Sequence, residues 1–102
     1  MTNNHTMDLP NRDQQHGGIQ AVGELSQTIK HAIRQQGRNY HLFTAPEREA
    51  LDMIVHKIAR LLSGDANDPD HWRDIAGYAH TIVRLQAQDD EARKAERSAD
   101  GP

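Results

Sequence analysis

The sequence predicts an all-α protein with a three-helix core and flexible tails at both ends. Between about residues 19 and 87, apolar residues recur three or four positions apart, and no stretch alternates as a half-buried strand does. At both ends, apolar residues are too sparse to offset the entropy cost of ordering the chain. The chain therefore divides into a disordered arm (1–20), a helical domain (21–87) and a charged tail (88–102).

The first helix is predicted from about Ile19 to Gln36. Its apolar residues lie at helical spacing, and Gly37 follows them as a stop signal. They are Val22, Leu25, Ile29, Ala32 and Ile33. In the polar link that follows, Leu42 and Phe43 are expected to pack on the start of the next helix as a hydrophobic staple.

The second helix has a clear start signal. Thr44 is the expected N-cap, Pro46 suits the first turn, and Glu47 completes a capping box with Thr44. Gly64 ends the helix. Its apolar face consists of Leu51, Ile54, Val55, Ile58, Leu61 and Leu62.

A short polar turn joins the second helix to a third. Asp68 is the expected cap of the third helix, which begins at Pro69. Because so short a connection leaves neighbouring helices antiparallel, the sequence predicts a helical hairpin of about 45–63 and 69–87.

The third helix carries the only tryptophan of the chain, and its apolar residues form one stripe. They are Trp72, Ile75, Ala76, Ala79, Ile82 and Val83. Trp72 is expected to close the end of the core under the turn. Because Gly77 lies between Ala76 and Ala79, a neighbouring backbone can approach this side of the helix closely. A three-helix core of about 65 residues is marginal alone, so we expect a homo-oligomer joined through Ala76, Gly77 and Ala79.

The composition excludes several classes of function. With 12 basic and 15 acidic residues, the net charge is -3, and the chain lacks the positive field that draws proteins to nucleic acid or anionic lipid. The absence of cysteine excludes disulfides, thiolate zinc sites and cysteine nucleophiles. No signal-peptide core, membrane span or phosphate-binding glycine loop is recognisable. We therefore expect a cytoplasmic protein with no membrane or nucleic-acid partner.

Charged side chains flank the apolar stripes of the hairpin and form a candidate ligand site. Counted outward from the turn, Arg60 comes level with Asp74, so an ion pair is expected between them, within one chain or between two. Cations beside a tyrosine suit the phosphate and the base of a nucleotide. The candidate ligand-binding residues are His56, Lys57, Arg60, Asp74 and Tyr78. In the alternative, these cationic side chains form ion pairs with Asp70 and Asp74, and the ion pairs have only a structural role.

Two stretches resemble a known group of proteins. K-I-A-R-L-L-S-G-D at 57–65 and D-P-D-H-W-R-D-I-A-G-Y-A at 68–79 are similar to the carboxy-terminal signature of small phage and prophage proteins. These proteins are loosely related to the MazG-like all-α nucleotide pyrophosphohydrolases. The resemblance covers about residues 38–86. It implies an all-helical domain that oligomerises through its hairpins in the cytoplasm of a phage-carrying bacterium.

MazG-like enzymes hold magnesium with E-E-x-x-E on one helix and E-x-x-D on the next, because Mg²⁺ prefers several carboxylate oxygens. The nearest equivalents here are Glu49 with Asp52, and His71 with Asp74. One glutamate is missing, and His71 replaces an acid. Asp52 and His71 are also offset by roughly 13 Å along the hairpin, so only a partner subunit could complete a magnesium site. We therefore expect a protein that binds a nucleotide, with Mg²⁺-dependent nucleotide pyrophosphohydrolysis as the alternative.

Two other interpretations of the charged residues stay open. Asp52 with His56, and His71 with Asp74, have the helical spacing of metal ligands, although a solvated charged face explains the same pattern. The protein is also a candidate interaction module, whose acidic surface and tails contact a host protein and inhibit or adapt a host defence system.

Overall fold

The computed structural model describes residues 18–64 and 66–99. These residues form α1 (Ile19–Gln36), a short 3-10 helix (Tyr40–Leu42), α2 (Ala45–Ser63) and α3 (Pro69–Ala99). The predicted all-α class is confirmed, with no strand in the described ranges. The predicted arm lies outside the described residues as far as position 17, and so do positions 100–102 of the predicted tail.

The starts of α2 and α3 follow the capping signals in the sequence. The Thr44 hydroxyl accepts a hydrogen bond from the Glu47 N–H at 3.3 Å, and the Glu47 carboxylate accepts one from the Thr44 N–H at 2.8 Å. The predicted capping box is therefore confirmed. The hydrogen bond from the Thr44 N–H is the main reason that the pKa of Glu47 lies below its ordinary value. The Asp68 carboxylate accepts a hydrogen bond from the Asp70 N–H at 2.9 Å, as expected of a cap.

The third helix is longer than predicted. The hairpin was expected to end at about 87, whereas α3 has 31 residues and continues to Ala99. Every residue from 87 to 99 is exposed. Helix-forming residues and ion pairs three positions apart support this segment. The pairs are Arg93 with Asp90 and Lys94 with Glu91. None of the described helices is both long enough and apolar enough to cross a membrane.

The three helices form an open layer with α2 in the middle. The main packing contacts join α1 to α2 and α2 to α3. An ion pair marks each contact: Arg34 of α1 with Asp52 at 3.6 Å, and Lys57 with Asp74 of α3 at 3.0 Å. Asp52 and Lys57 lie about 140° apart around the axis of α2 at 100° per residue. The two neighbouring helices therefore pack on different sides of α2.

The buried core of this layer is small. Its buried apolar residues are Val22, Ala50, Val55, Ala59 and Leu61. Ala50 and Ala59 lie about 180° apart around α2. Ala50 lies on the side that faces α3, and Ala59 lies on the side that faces α1. Ala59 is completely buried. These alanines allow both neighbouring helices to approach α2 closely.

The face that α3 turns toward α2 differs from the predicted one. Trp72, which was expected to close the core under the turn, is 60% exposed, whereas the adjacent His71 is buried. The α2-facing positions of α3 are His71, Asp74, Tyr78, Ile82 and Leu85. Ile82 of the predicted apolar stripe still faces α2, whereas Trp72 and Val83 of the stripe lie on a side of α3 that is turned away from α2.

The same rotation removes the predicted close contact at the small residues of α3. Ala76, Gly77 and Ala79 are exposed, and a methyl group added at Gly77 would meet no other atom within 4 Å. The expected tight helix–helix contact at Gly77 is therefore not made within one chain.

Arg48 organises the link between α1 and α2, a role that the sequence analysis missed. Its guanidinium lies 4.8 Å from the centre of the Tyr40 ring and donates hydrogen bonds to the carbonyl oxygens of Tyr40 and His41. Such a cation–π contact stabilises the 3-10 helix against α2. The predicted staple forms only in part, because Phe43 is 38% exposed and Leu42 is 67% exposed.

Ser26 gives a first testable prediction. It is 2% exposed on α1, and its hydroxyl has no hydrogen-bond partner among the described residues. A buried unsatisfied hydroxyl costs about 1–3 kcal/mol, so Ser26→Ala is expected to raise the free energy of unfolding by about 1 kcal/mol. Urea denaturation monitored by circular dichroism measures this change. Thr28→Ala, at an exposed position of the same helix, controls for helix propensity, and an equal effect of both substitutions would contradict the prediction.

Candidate functional site

Two grooves flank the seam between α2 and α3 and show that the helical layer has two different faces. Besides the residues that they share, one groove is lined by Phe43, Glu47, Leu51, Ile54, Ala79 and Gln86, and the other by Pro46, Glu49, Met53, Tyr78, Thr81 and Leu85. Ala50 and Ile82 line both grooves, so these two residues lie at the centre of the seam. We call the first side of the layer the apolar face and the second the charged face.

The charged face contains the predicted ligand residues. Helical spacing places Tyr78 one turn from Asp74 on α3, and Lys57 one turn from Arg60 on α2. The Lys57 ammonium lies 3.0 Å from the Asp74 carboxylate, with the Lys57 side chain 15% exposed and the Asp74 side chain 47% exposed. Lys57, Asp74 and Tyr78 are therefore brought together along one edge of the hairpin.

The observed ion pair corrects the predicted register of the hairpin. Arg60 was expected to come level with Asp74, whereas Lys57, about one helical turn further from the connection, contacts the Asp74 carboxylate. With Lys57 level with Asp74, Pro69 at the start of α3 comes level with about Leu62, so α3 begins beside the end of α2.

His56 lies among cationic groups from all three helices. Burial lowers its pKa below the ordinary value of 6.5, and the charges of Arg60, Lys30, Lys57 and His71 lower it further. We call Lys30, Lys57 and Arg60 the cationic cluster. Cationic side chains that oppose the protonation of a nearby histidine also attract an anion to the same place. The sequence analysis identified His56, Lys57 and Arg60 but missed Lys30, because the position of α1 beside α2 has no local signal in the sequence.

The predicted metal candidates do not converge. Glu49 is exposed and lies on the charged face, and the other three make contacts at separate places. These contacts are Asp52 with Arg34 at 3.6 Å, Asp74 with Lys57 at 3.0 Å, and His71 Nε2 with the Asp68 carboxylate at 3.9 Å. Over residues 18–64 and 66–99, no three or more histidines, aspartates or glutamates are grouped so that they could hold a metal ion.

The lowered pKa of His56 predicts a dependence of stability on pH. Because the unfolded chain takes up a proton on His56 at higher pH than the folded chain, stability is fully present above pH 6.5 and falls as the pH decreases below it. His56→Gln should reduce this loss in urea denaturation at pH 7.5 and 5.5. His80→Gln, an exposed substitution on α3, is the control. An unchanged loss of stability in His56→Gln would contradict the prediction.

Comparisons with known proteins return no relative of this chain. No protein-family model matches it, and neither a curated protein sequence nor a solved structure does. The resemblance to MazG-like proteins, the phage setting and the nucleotide site therefore stay predictions.

Proposed function

We propose that the protein is a small helical accessory module that binds a nucleotide or a nucleotide-derived signal in the cytoplasm of a phage-carrying bacterium, as a homo-oligomer. The cationic cluster carries this proposal. In a chain of net charge -3, α1 and α2 place Lys30, Lys57 and Arg60 close enough to His56 to lower its pKa, in addition to the effect of burial. These cationic side chains can bind a phosphate group, which would compete with Asp74 for Lys57.

The charged face also suits the remainder of a nucleotide. The Tyr78 ring lines the groove beside Met53, and a base can stack on a tyrosine ring. Arg60 and Tyr78 lie roughly two helical turns apart along the hairpin, about 11 Å. An extended nucleoside triphosphate can span that separation, whereas inorganic phosphate cannot. Asp74, between them and half exposed, is placed to accept hydrogen bonds from ribose hydroxyls while it holds Lys57.

The proposal is for binding without hydrolysis. Magnesium-dependent hydrolysis needs several carboxylate oxygens around one ion. Asp52 and Asp74 instead contact cations on different sides of α2. The chemistry that the described residues support is electrostatic binding of phosphates, with stacking and hydrogen bonding to the nucleoside.

A thermal-shift screen tests the proposal. The full chain is heated with nucleoside triphosphates and cyclic nucleotides, with and without magnesium, and hits are checked for turnover by chromatography. Ligand at 100 times its dissociation constant should add about 2.7 kcal/mol of stability. Inorganic triphosphate at equal ionic strength is the control, because it shares the charge and lacks the base. Stabilisation without turnover supports a binder, pyrophosphate release would make the protein an enzyme, and no stabilisation would overturn the proposal.

A second function is favoured by the projecting end of α3. Residues 87–99 stay helical although none is buried, so this charged helix is available to a host protein, such as a component of a defence system. A chain ending at residue 88 should then keep nucleotide binding and lose its effect on the host. Loss of nucleotide binding and retention of the host effect would contradict this second function.

A further inference from the structure

The apolar face of the helical layer is open to solvent in a single chain. Its most exposed side chains are Leu62 at 71%, Trp72 at 60% and Val83 at 59%. Trp72 and Val83 belong to the stripe of α3 that is turned away from α2, and Leu62 belongs to the apolar stripe of α2. These residues recur at the spacing of buried positions, yet nothing in the chain's described part buries them.

The apolar face is continuous across all three helices. Lys30 and Arg34 place one side of α1 on the charged face, so Leu25 and Ile29, on the other side of α1, lie on the apolar face. From α1 to α3, the residues of this face are Leu25, Ile29, Leu51, Ile54, Ile58, Leu62, Trp72, Ile75, Ala79 and Val83. Glu47 is a charged residue that lines the groove on this face, at the end where α2 begins. Glu47 and Gln86, hydrogen-bonded to each other at 3.1 Å, lie at one edge.

The dimensions of the face match those of a stable interface. Three helices with axes 8–10 Å apart form a layer roughly 28 Å wide, and the 19 residues of α2 are about 28 Å long. The face therefore has an area of about 800 Å², which is close to what each partner contributes to a stable protein–protein interface. Apolar patches on soluble monomers are usually smaller, about 300–600 Å².

Residues 1–17 and 100–102 offer few apolar side chains that could cover this area. Residues 1–17 include only Met1, Met7 and Leu9 as sizeable apolar side chains, and residues 100–102 are Asp-Gly-Pro. A cover that is present whenever the protein is folded would add to the stability of one chain, because the buried core of one chain is small. A second copy of the chain is such a cover, because other copies are present wherever the protein is made. Because Glu47 lies at the edge of this mostly apolar face, the face can pair with its own copy with little like-charge repulsion.

We propose that two copies of this chain pack apolar face against apolar face, as a two-layer dimer of six helices with the charged faces outward. The interface is isologous, and it buries Trp72, Leu62 and Val83 of both copies. The joining surface thus includes Trp72 and Ala79 of the predicted oligomer contact and extends over the apolar face of all three helices. Because the charged faces lie on the outside, this inference is independent of the proposed nucleotide site. Each dimer has two separate cationic clusters.

Trp72 is the only tryptophan and reports directly on the proposed interface. Sedimentation equilibrium should give twice the chain mass at tens of micromolar. The Trp72 emission should be blue-shifted there and should move to the red, with greater quenching by acrylamide, as the protein is diluted and dissociates. A monomer mass at tens of micromolar with red-shifted emission overturns the proposal. So does emission that becomes blue-shifted only when lipid vesicles are added.

Two glutamate substitutions on opposite faces of α3 complete the test. Trp72→Glu is expected to raise the dimer dissociation constant at least 100-fold, because it buries a charge in an apolar interface. Thr81→Glu, an exposed substitution on the charged face, should change it less than threefold. If Trp72→Glu fails to fold, Trp72→Ala and Val83→Ala replace it, with an expected loss of at least tenfold each. If a variant with a substitution on the apolar face dimerises as tightly as the natural chain, the proposal is wrong.

Discussion

Replacing Lys57 and Arg60 together by alanine is expected to weaken nucleotide binding at least 100-fold. Each hydrogen bond between a charged side chain and phosphate contributes about 1.5–3 kcal/mol, so the loss of two amounts to roughly 3–6 kcal/mol. Both residues belong to the cationic cluster around His56. Isothermal titration calorimetry with the nucleotide found in the thermal screen measures the change.

A matched pair of substitutions separates this site from a general effect of charge. Arg93→Ala with Lys94→Ala removes the same two charges from the exposed end of α3 and should change nucleotide affinity less than threefold. Asp74→Asn removes the carboxylate that competes with phosphate for Lys57, and it should tighten phosphate binding several-fold. If the two alanine pairs weaken binding equally, the cationic cluster is not the binding site.

The lysine and arginine substitutions also distinguish the proposed nucleotide site from the proposed dimer. Both side chains lie on the charged face, outside the proposed interface. The double variant should therefore keep the mass of the natural protein while it loses the ligand. If the nucleotide proposal is wrong, the mass of the protein is still that of the dimer. If the dimer proposal is wrong, the mass and the Trp72 emission show this without any ligand.

Ala59→Leu is expected to cause the largest loss of stability of any single substitution considered for this chain. Ala59 is completely buried on the side of α2 that faces α1, and three added carbon atoms have no space there. Overpacking usually costs about 1–3 kcal/mol. A domain of this size is stable by about 5 kcal/mol, so the substitution removes a large share of the total. Urea denaturation measured by circular dichroism should show the midpoint falling accordingly.

The control for this substitution is Ala95→Leu. Ala95 is exposed in the projecting part of α3, so the same added side chain meets only solvent and should change stability by less than about 0.5 kcal/mol. An equal, small effect of both substitutions would mean that α1 does not pack closely on α2 at Ala59.

Local signals in the sequence determined where the helices begin and end. The periodic apolar residues and Gly37 gave the bounds of α1 as observed, Ile19–Gln36. Thr44, Glu47 and Asp68 marked the starts of α2 and α3 through hydrogen bonds within three residues. Such contacts are short-range, so sequence alone specifies them. The end of α3 was missed because residues 88–99 are held by helix propensity and ion pairs without a buried stripe.

Only the tertiary structure decided which face of each helix is buried. The apolar stripe of α3 was identified correctly, but the burial of His71 in place of Trp72 depends on rotation of α3 about its axis. A change of one residue in register rotates a helix by about 100° about its axis. The spacing of apolar residues within one helix does not determine which of its sides a neighbouring helix contacts. The pairing of Lys57 with Asp74, the approach of Lys30 to His56 and the open apolar face all follow from that rotation and from the position of α1 beside α2.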